Sequence, residues 1–244
     1  MNRQTVIARQ RRQVQENIAA EIERGAYLEF NWLWANVRRK VVRLDRLKVS
    51  KAEFGQTGLY ETFQDRLATR LEKIIDTGIK TLLELEVAIY GLQAAEAFEF
   101  IYRDVYESIK KELASKIKDV TIKTKRAVAR RITSWFNTPG ETIGDVTRDL
   151  QKNFSLERAH LIAQTEITDM NSGVQKRVAR ELQITSWWWQ TKRDHLVCTK
   201  KMVAPDGSIV MGCRALHGRV FDINLPMPSK GSHPGCRCDP VLIY

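Results

Sequence analysis

Apolar residues recur at three- and four-residue intervals through most of the first 140 positions, the period of helices with one buried face. From Thr5 to Gly25, Ile7, Val14, Ile18 and Ile22 hold broadly to that spacing, and Gly25 predicts a stop. Tyr27 to Val49 places Phe30, Trp32, Leu33, Trp34 and Val37 ahead of a basic block at Arg38, Arg39, Lys40, Arg43, Arg46 and Lys48. Aromatics beside cations can grip nucleic acid, but on a helix they more often anchor it to its neighbours while the charges stay wet, and packing is the preferred reading. Phe54 to Gly58 breaks the period and predicts a loop. Leu59, Phe63, Leu67, Leu71, Ile74, Ile75, Leu82 and Ile89 then mark a long amphipathic helix, and Phe98, Ile101, Val105, Ile109, Leu113, Ile117 and Val120 repeat the pattern. The two stretches either pair as an antiparallel hairpin turning near Gly91 or continue as one rod, with the hairpin preferred.

Asn137-Thr138-Pro139-Gly140 is the firmest punctuation, and the domain boundary is placed there, between residues 1–140 and 141–244. Beyond it, Thr142 to Asn153 and Leu156 to Leu182 read as helices, with Ser155 capping the second. Ala159, Ile162, Ala163, Glu166, Met170, Gly173 and Val174 fall near one face, which turns Glu166 inward. A buried carboxylate must be paired or protonated, so Glu166 is either a structural partner or a catalytic group, the structural role being preferred. The period then shortens. Thr185 to Gln190 has the aromatic content of a strand, with Trp187 and Trp189 on one face and Trp188 on the other, and Pro240 to Tyr244 is its expected partner. The fold class read from this pattern is α+β: an all-α N-terminal region, then a small α+β domain with a short antiparallel sheet.

Composition narrows the classes. No run of about 18 apolar residues occurs, so no membrane partner is expected. Lys and Arg number 40 against 29 Asp and Glu, a net charge of +11 that favours polyanionic surroundings such as double-stranded DNA. Most of the excess lies before residue 141, with a block at Lys116, Lys118, Lys123, Lys125, Arg126, Arg130 and Arg131 that is either a solvated face or a surface for DNA or an acidic protein ring.

The chemistry concentrates near the C-terminus. All four cysteines, Cys198, Cys213, Cys236 and Cys238, lie there, and His233 precedes the last two in His233-Pro234-Gly235-Cys236-Arg237-Cys238. Zinc takes four such ligands as a tetrahedron. Two short apolar runs flank Pro205-Asp206-Gly207, predicting a hairpin that brings Cys198 and Cys213 together, while His233 with Cys236 or Cys238 closes the site. Five candidates compete for four places; in an extended segment Cys236 and Cys238 point the same way, so both could bind with His233 behind them. Disulfides or ordinary buried thiols are the competing readings. Met1 to Arg12 is basic and lacks the apolar core of a signal peptide, so bound Zn2+ is the expectation. His195 and His217 fit no ligand spacing and read as surface or turn residues, as does His160 on its helix.

From Arg158 onward the chain resembles the phage Mu F-like head morphogenesis family, the minor head proteins of tailed bacteriophages. The resemblance rests on Arg158-Ala159-His160-Leu161-Ile162-Ala163-Gln164-Thr165-Glu166, then Asn171 and Gly173, Trp189, Asp194 with Cys198, Cys213 with Leu216 and Gly218, and His233 to Cys238. It covers roughly residues 141 to 244, and in many relatives the first two cysteines lie closer together than here. It implies a structural virion protein acting in head morphogenesis, with the portal protein and the major capsid or scaffolding protein as partners. Its place would be the head interior near the portal, after assembly in the host cytoplasm. The alternative is a zinc-dependent hydrolase or nuclease using Glu166 and Asp194, which would need an open metal position.

Overall fold

The computed structural model describes residues 3–47, 58–90, 95–138, 141–191, 198–228, 236 and 238–243. Among the described residues, five α-helices precede five short strands: α1 (Arg3–Leu47), α2 (Leu59–Tyr90), α3 (Ala95–Asn137), α4 (Ile143–Gln151), α5 (Leu156–Glu181), then β1 (Ser186–Gln190), β2 (Lys201–Val203), β3 (Ile209–Met211), β4 (Val220–Asp222) and β5 (Asp239–Ile243). The class is α+β, a long helical region followed by a small antiparallel sheet. The helix stop expected at Gly25 is corrected, because α1 runs through it without a break. An interior glycine costs a helix about 1 kcal/mol, and here Ile22, Ala26, Phe30 and Leu33 are all fully buried around it, an apolar gain several times larger. The loop expected over Phe54 to Gly58 and the turn expected near Gly91 lie outside the described residues, apart from Gly58 itself. The Gly58 carbonyl accepts the Thr62 amide at 2.9 Å in the first turn of α2.

The chain's contacts form two compact units that interleave along the sequence. One comprises Ile22–Lys73 and Lys111–Ala159. Its core is helical, with Phe30 against Phe63 at 5.5 Å between ring centres and Leu33, Val37, Leu67, Leu71, Ile117, Val128 and Ile132 buried around them. The aromatics of the basic segment therefore serve packing: Trp34 stacks on Phe154 at 5.4 Å, and the Arg66 guanidinium lies 4.7 Å from the Trp32 ring. Glu29, almost fully buried, receives Arg66 at 2.7 Å and Arg70 at 2.6 Å. Thr142 caps α4 and exchanges hydrogen bonds with Asp145, and the Ser155 hydroxyl accepts from the Arg158 amide at 3.4 Å at the start of α5.

The other unit comprises Met1–Glu21, Ile74–Lys110 and His160–Tyr244. Ile18, Ile79, Leu82, Leu83, Ile101, Val105, Met170, Val174 and Val178 make its helical core. Arg11 and Glu86 form a buried ion pair at 2.5 Å, and Arg11 also donates to the Tyr90 hydroxyl at 2.8 Å. The sheet has the order β4-β1-β5, antiparallel throughout, with Trp187 opposite Phe221 on one side and Leu242 on the other. Trp187 and Trp189 are fully buried while Trp188 is half-buried, so the alternation follows the strand period. Trp187 meets the Phe221 ring at 5.0 Å and donates its Nε1 hydrogen to the Asp222 carbonyl at 3.1 Å. The pairing of β1 with the C-terminal strand is the one read from the sequence; β4, its other neighbour, is too short to have announced itself.

Candidate metal centre

Strand β1 holds two cysteine-bearing arms, one on each side. On one side Trp189 donates to the Arg219 carbonyl at 2.9 Å and accepts from Gly218 at 2.8 Å, which anchors the end of a 3₁₀ turn, Cys213–Leu216, whose first residue carries a thiol. On the other side β5 pairs with β1 from Asp239 onward, so Cys236 and Cys238 sit immediately before a fixed strand. The hairpin predicted between the first two cysteines is present: β2 and β3 pair antiparallel about the Pro205-Asp206-Gly207 turn, with Val203 opposite Ile209. Its inner face brings Met202 onto Cys213, with 3.8 Å between the sulfurs.

Cys213, Cys236 and Cys238 converge. All three are buried, and their sulfurs lie within 4.8 Å of one another. A tetrahedral ion with metal–sulfur bonds near 2.3 Å sets its sulfurs about 3.8 Å apart, so closing on a metal would need shifts of at most about 1 Å. These three cysteines could hold a metal ion. Hydrogen bonds that the Cys238 thiol donates to Cys213 and Cys236, and burial after them, hold it far above the ordinary thiol range. A divalent cation would reverse that preference, since thiolates are its ligands and metal uptake releases their protons.

Cys198 does not join this group. The hairpin returns the chain as expected, yet what it brings together is backbone: a Cβ built on Gly212 would meet the Cys198 carbonyl oxygen at 2.0 Å. The Cys198 thiol stays half-buried, with its sulfur 4.0 Å from the Lys200 carbonyl. Gly212, at φ 74° and ψ 177°, turns the chain beneath this strap and delivers Cys213 to the other two thiols. His233, Asp194 and His195 lie outside the described residues.

Behind the thiols stands a polar face of α5. The Thr168 hydroxyl donates to the Cys236 carbonyl and also lies 2.9 Å from the Gln164 carbonyl of its own helix, while Ser172 donates to the Pro228 carbonyl. Asn171 donates through Nδ2 to the Asp239 carboxylate at 3.3 Å. All three side chains are buried. The apolar stripe of α5 does not mark Thr168 or Ser172; the available signal was a set of small polar residues at three- and four-residue spacing, on a helix too buried to wet them. Glu166 is buried at 3% exposure, as its position on the inward face predicts. His160 is exposed, and His217 sits in a turn, where its Nδ1 accepts the Thr191 amide at 3.1 Å.

Among the described residues no helix is long and apolar enough to cross a membrane. Compared with family models, curated proteins and solved structures, the chain has no match.

Proposed function

We propose that this chain is a structural minor head protein of a tailed bacteriophage, of the Mu F-like head morphogenesis kind, whose C-terminal part is stabilised by one Zn2+. The observation that carries the reading is spatial. Separate pieces of the motif meet in space: the helix that bears Glu166 braces, through Thr168 and Asn171, the segment carrying Cys236 and Cys238, and Cys213 joins their two thiols. Zinc is favoured over other ions because the donor set is sulfur-rich. A buried centre whose nearest helix contributes clasping hydroxyls suits a structural ion, and Glu166, buried as it is, suits a structural carboxylate better than a base working on a large substrate.

The partners follow as part of the same proposal: the portal protein, the major capsid or scaffolding protein, and double-stranded DNA held without sequence preference. From Val120 to Asn137, α3 carries Lys123, Lys125, Arg126, Arg130 and Arg131 and no carboxylate. Arg131 is committed to Glu141 and Asp149, and Lys125 lies 5.7 Å from the Tyr60 ring. Lys123, Arg126 and Arg130 remain exposed, as phosphate contacts require. Electron cryo-microscopy of the assembled particle tests the reading: density for this chain beside the portal ring is the expected result, and its absence from the particle would overturn it.

A further inference from the structure

Two thiols at alternate positions can face one ion only if the peptide between them is held in a single orientation. The carbonyl of Cys236 receives the Thr168 hydroxyl, which sets the backbone direction at the first thiol. On the far side of the pair, Asp239 receives Asn171 at 3.3 Å. Residues 168 and 171 are neighbours on one helix face, so a single rigid element grips both flanks of the Cys236–Cys238 pair. Ser172 reaches a different part of the chain, the Pro228 carbonyl. All three groups are buried, where a lost donor leaves its acceptor without water to replace it.

We infer that Thr168, assisted by Asn171, is a positioning residue of the metal centre: its hydroxyl holds the Cys236 carbonyl so that the Cys236 and Cys238 thiols face the ion that Cys213 also binds. The inference rests on the metal reading above. Groups that orient metal ligands typically contribute about 10- to 100-fold to affinity, although they never touch the ion. Thr168→Val removes the hydroxyl at nearly constant shape, and Thr168→Ser keeps it.

The test is a cobalt(II) titration of the full-length chain, read by its sulfur-to-metal charge-transfer and d–d bands, with far-ultraviolet circular dichroism to check folding. Thr168→Val should weaken cobalt binding by about 10-fold or more and displace the d–d bands. Thr168→Ser should restore both, and Ser172→Ala should leave the bands in place, since Pro228 bears no ligand. Should Thr168→Val fail to fold, Asn171→Ala releases the other flank of the pair and carries the same expectation. Parental affinity and bands in a folded Thr168→Val protein overturn the inference, as does failure of Thr168→Ser to rescue, or Ser172→Ala reproducing the full effect. A parent that takes up no cobalt is a different failure: it removes the metal reading, and the positioning role with it.

Discussion

Replacing Gly212 by alanine perturbs the structure at the point where the hairpin closes over the thiols. Two costs arise, and they can be separated. The first is conformational, because φ 74° with ψ 177° lies in a region essentially reserved for glycine and an L side chain there costs about 1–3 kcal/mol. The second is steric. The added Cβ would meet the Cys198 carbonyl oxygen at 2.0 Å, its carbon at 2.6 Å and the Thr199 Cα at 2.6 Å. These are backbone atoms, so no side-chain rotation relieves the overlap, and the strap must lift by more than about 1 Å to restore ordinary contact. Gly207 supplies the control: its φ is 82°, and nothing lies within 4 Å of a Cβ built there. Gly207→Ala should therefore show the conformational cost alone, whereas Gly212→Ala should lose about 3–5 kcal/mol in all, at the severe end for a single substitution. Urea denaturation followed by tryptophan fluorescence measures both, and faster reaction of Cys198 with a thiol reagent would report the lifted strap. If Gly212→Ala costs no more than Gly207→Ala, the close approach of residues 198 and 199 to Gly212 is not a feature of the folded protein.

Metal analysis of the purified chain should find one zinc, and Cys213→Ser should lose it along with the C-terminal fold; a folded Cys213→Ser protein with its zinc intact would refute the ligand set. Breaking the buried pair by Arg11→Ala or Glu86→Ala should cost about 3–5 kcal/mol in thermal unfolding, whereas Arg11→Met with Glu86→Leu should recover most of it; equal losses in single and double variants would show that the pair itself is not the cause. Charge reversal at Lys123, Arg126 and Arg130 together should lower the slope of log affinity for duplex DNA against log salt by about 2.7, and an unchanged slope would assign this face to something other than phosphate. Asp145 is held below the ordinary carboxylate range by the Thr142 hydroxyl and then its amide. Its contribution is therefore complete above the ordinary carboxylate pKa and fades as pH falls through the lowered one, so parent and Asp145→Asn should differ in stability at neutral pH and converge in acid.

Much of this architecture is written in local pattern. The three-and-four spacing from Leu59 to Ile89 and from Phe98 to Val120 specifies long helices because each buried position repeats on one face. The alternation of Trp187, Trp188 and Trp189 specifies a strand for the matching reason, and Pro205-Asp206-Gly207 specifies its turn. Local signals failed where tertiary burial outweighed them. Gly25 reads as a helix end, but the apolar residues on either side of it are buried deeply enough to hold α1 continuous. The cysteines show the same division. Their number and clustering identified candidate metal ligands, and the Cys-Arg-Cys spacing allowed both of its thiols to face one way. Which thiols meet was decided by the fold: Cys213 is turned inward by Gly212, while the backbone of Cys198, and not its sulfur, occupies the space above that glycine. The clasp of Thr168, Asn171 and Ser172 could not be read in advance either, since a helix sequence records which residues share a face but not which distant carbonyls that face will meet.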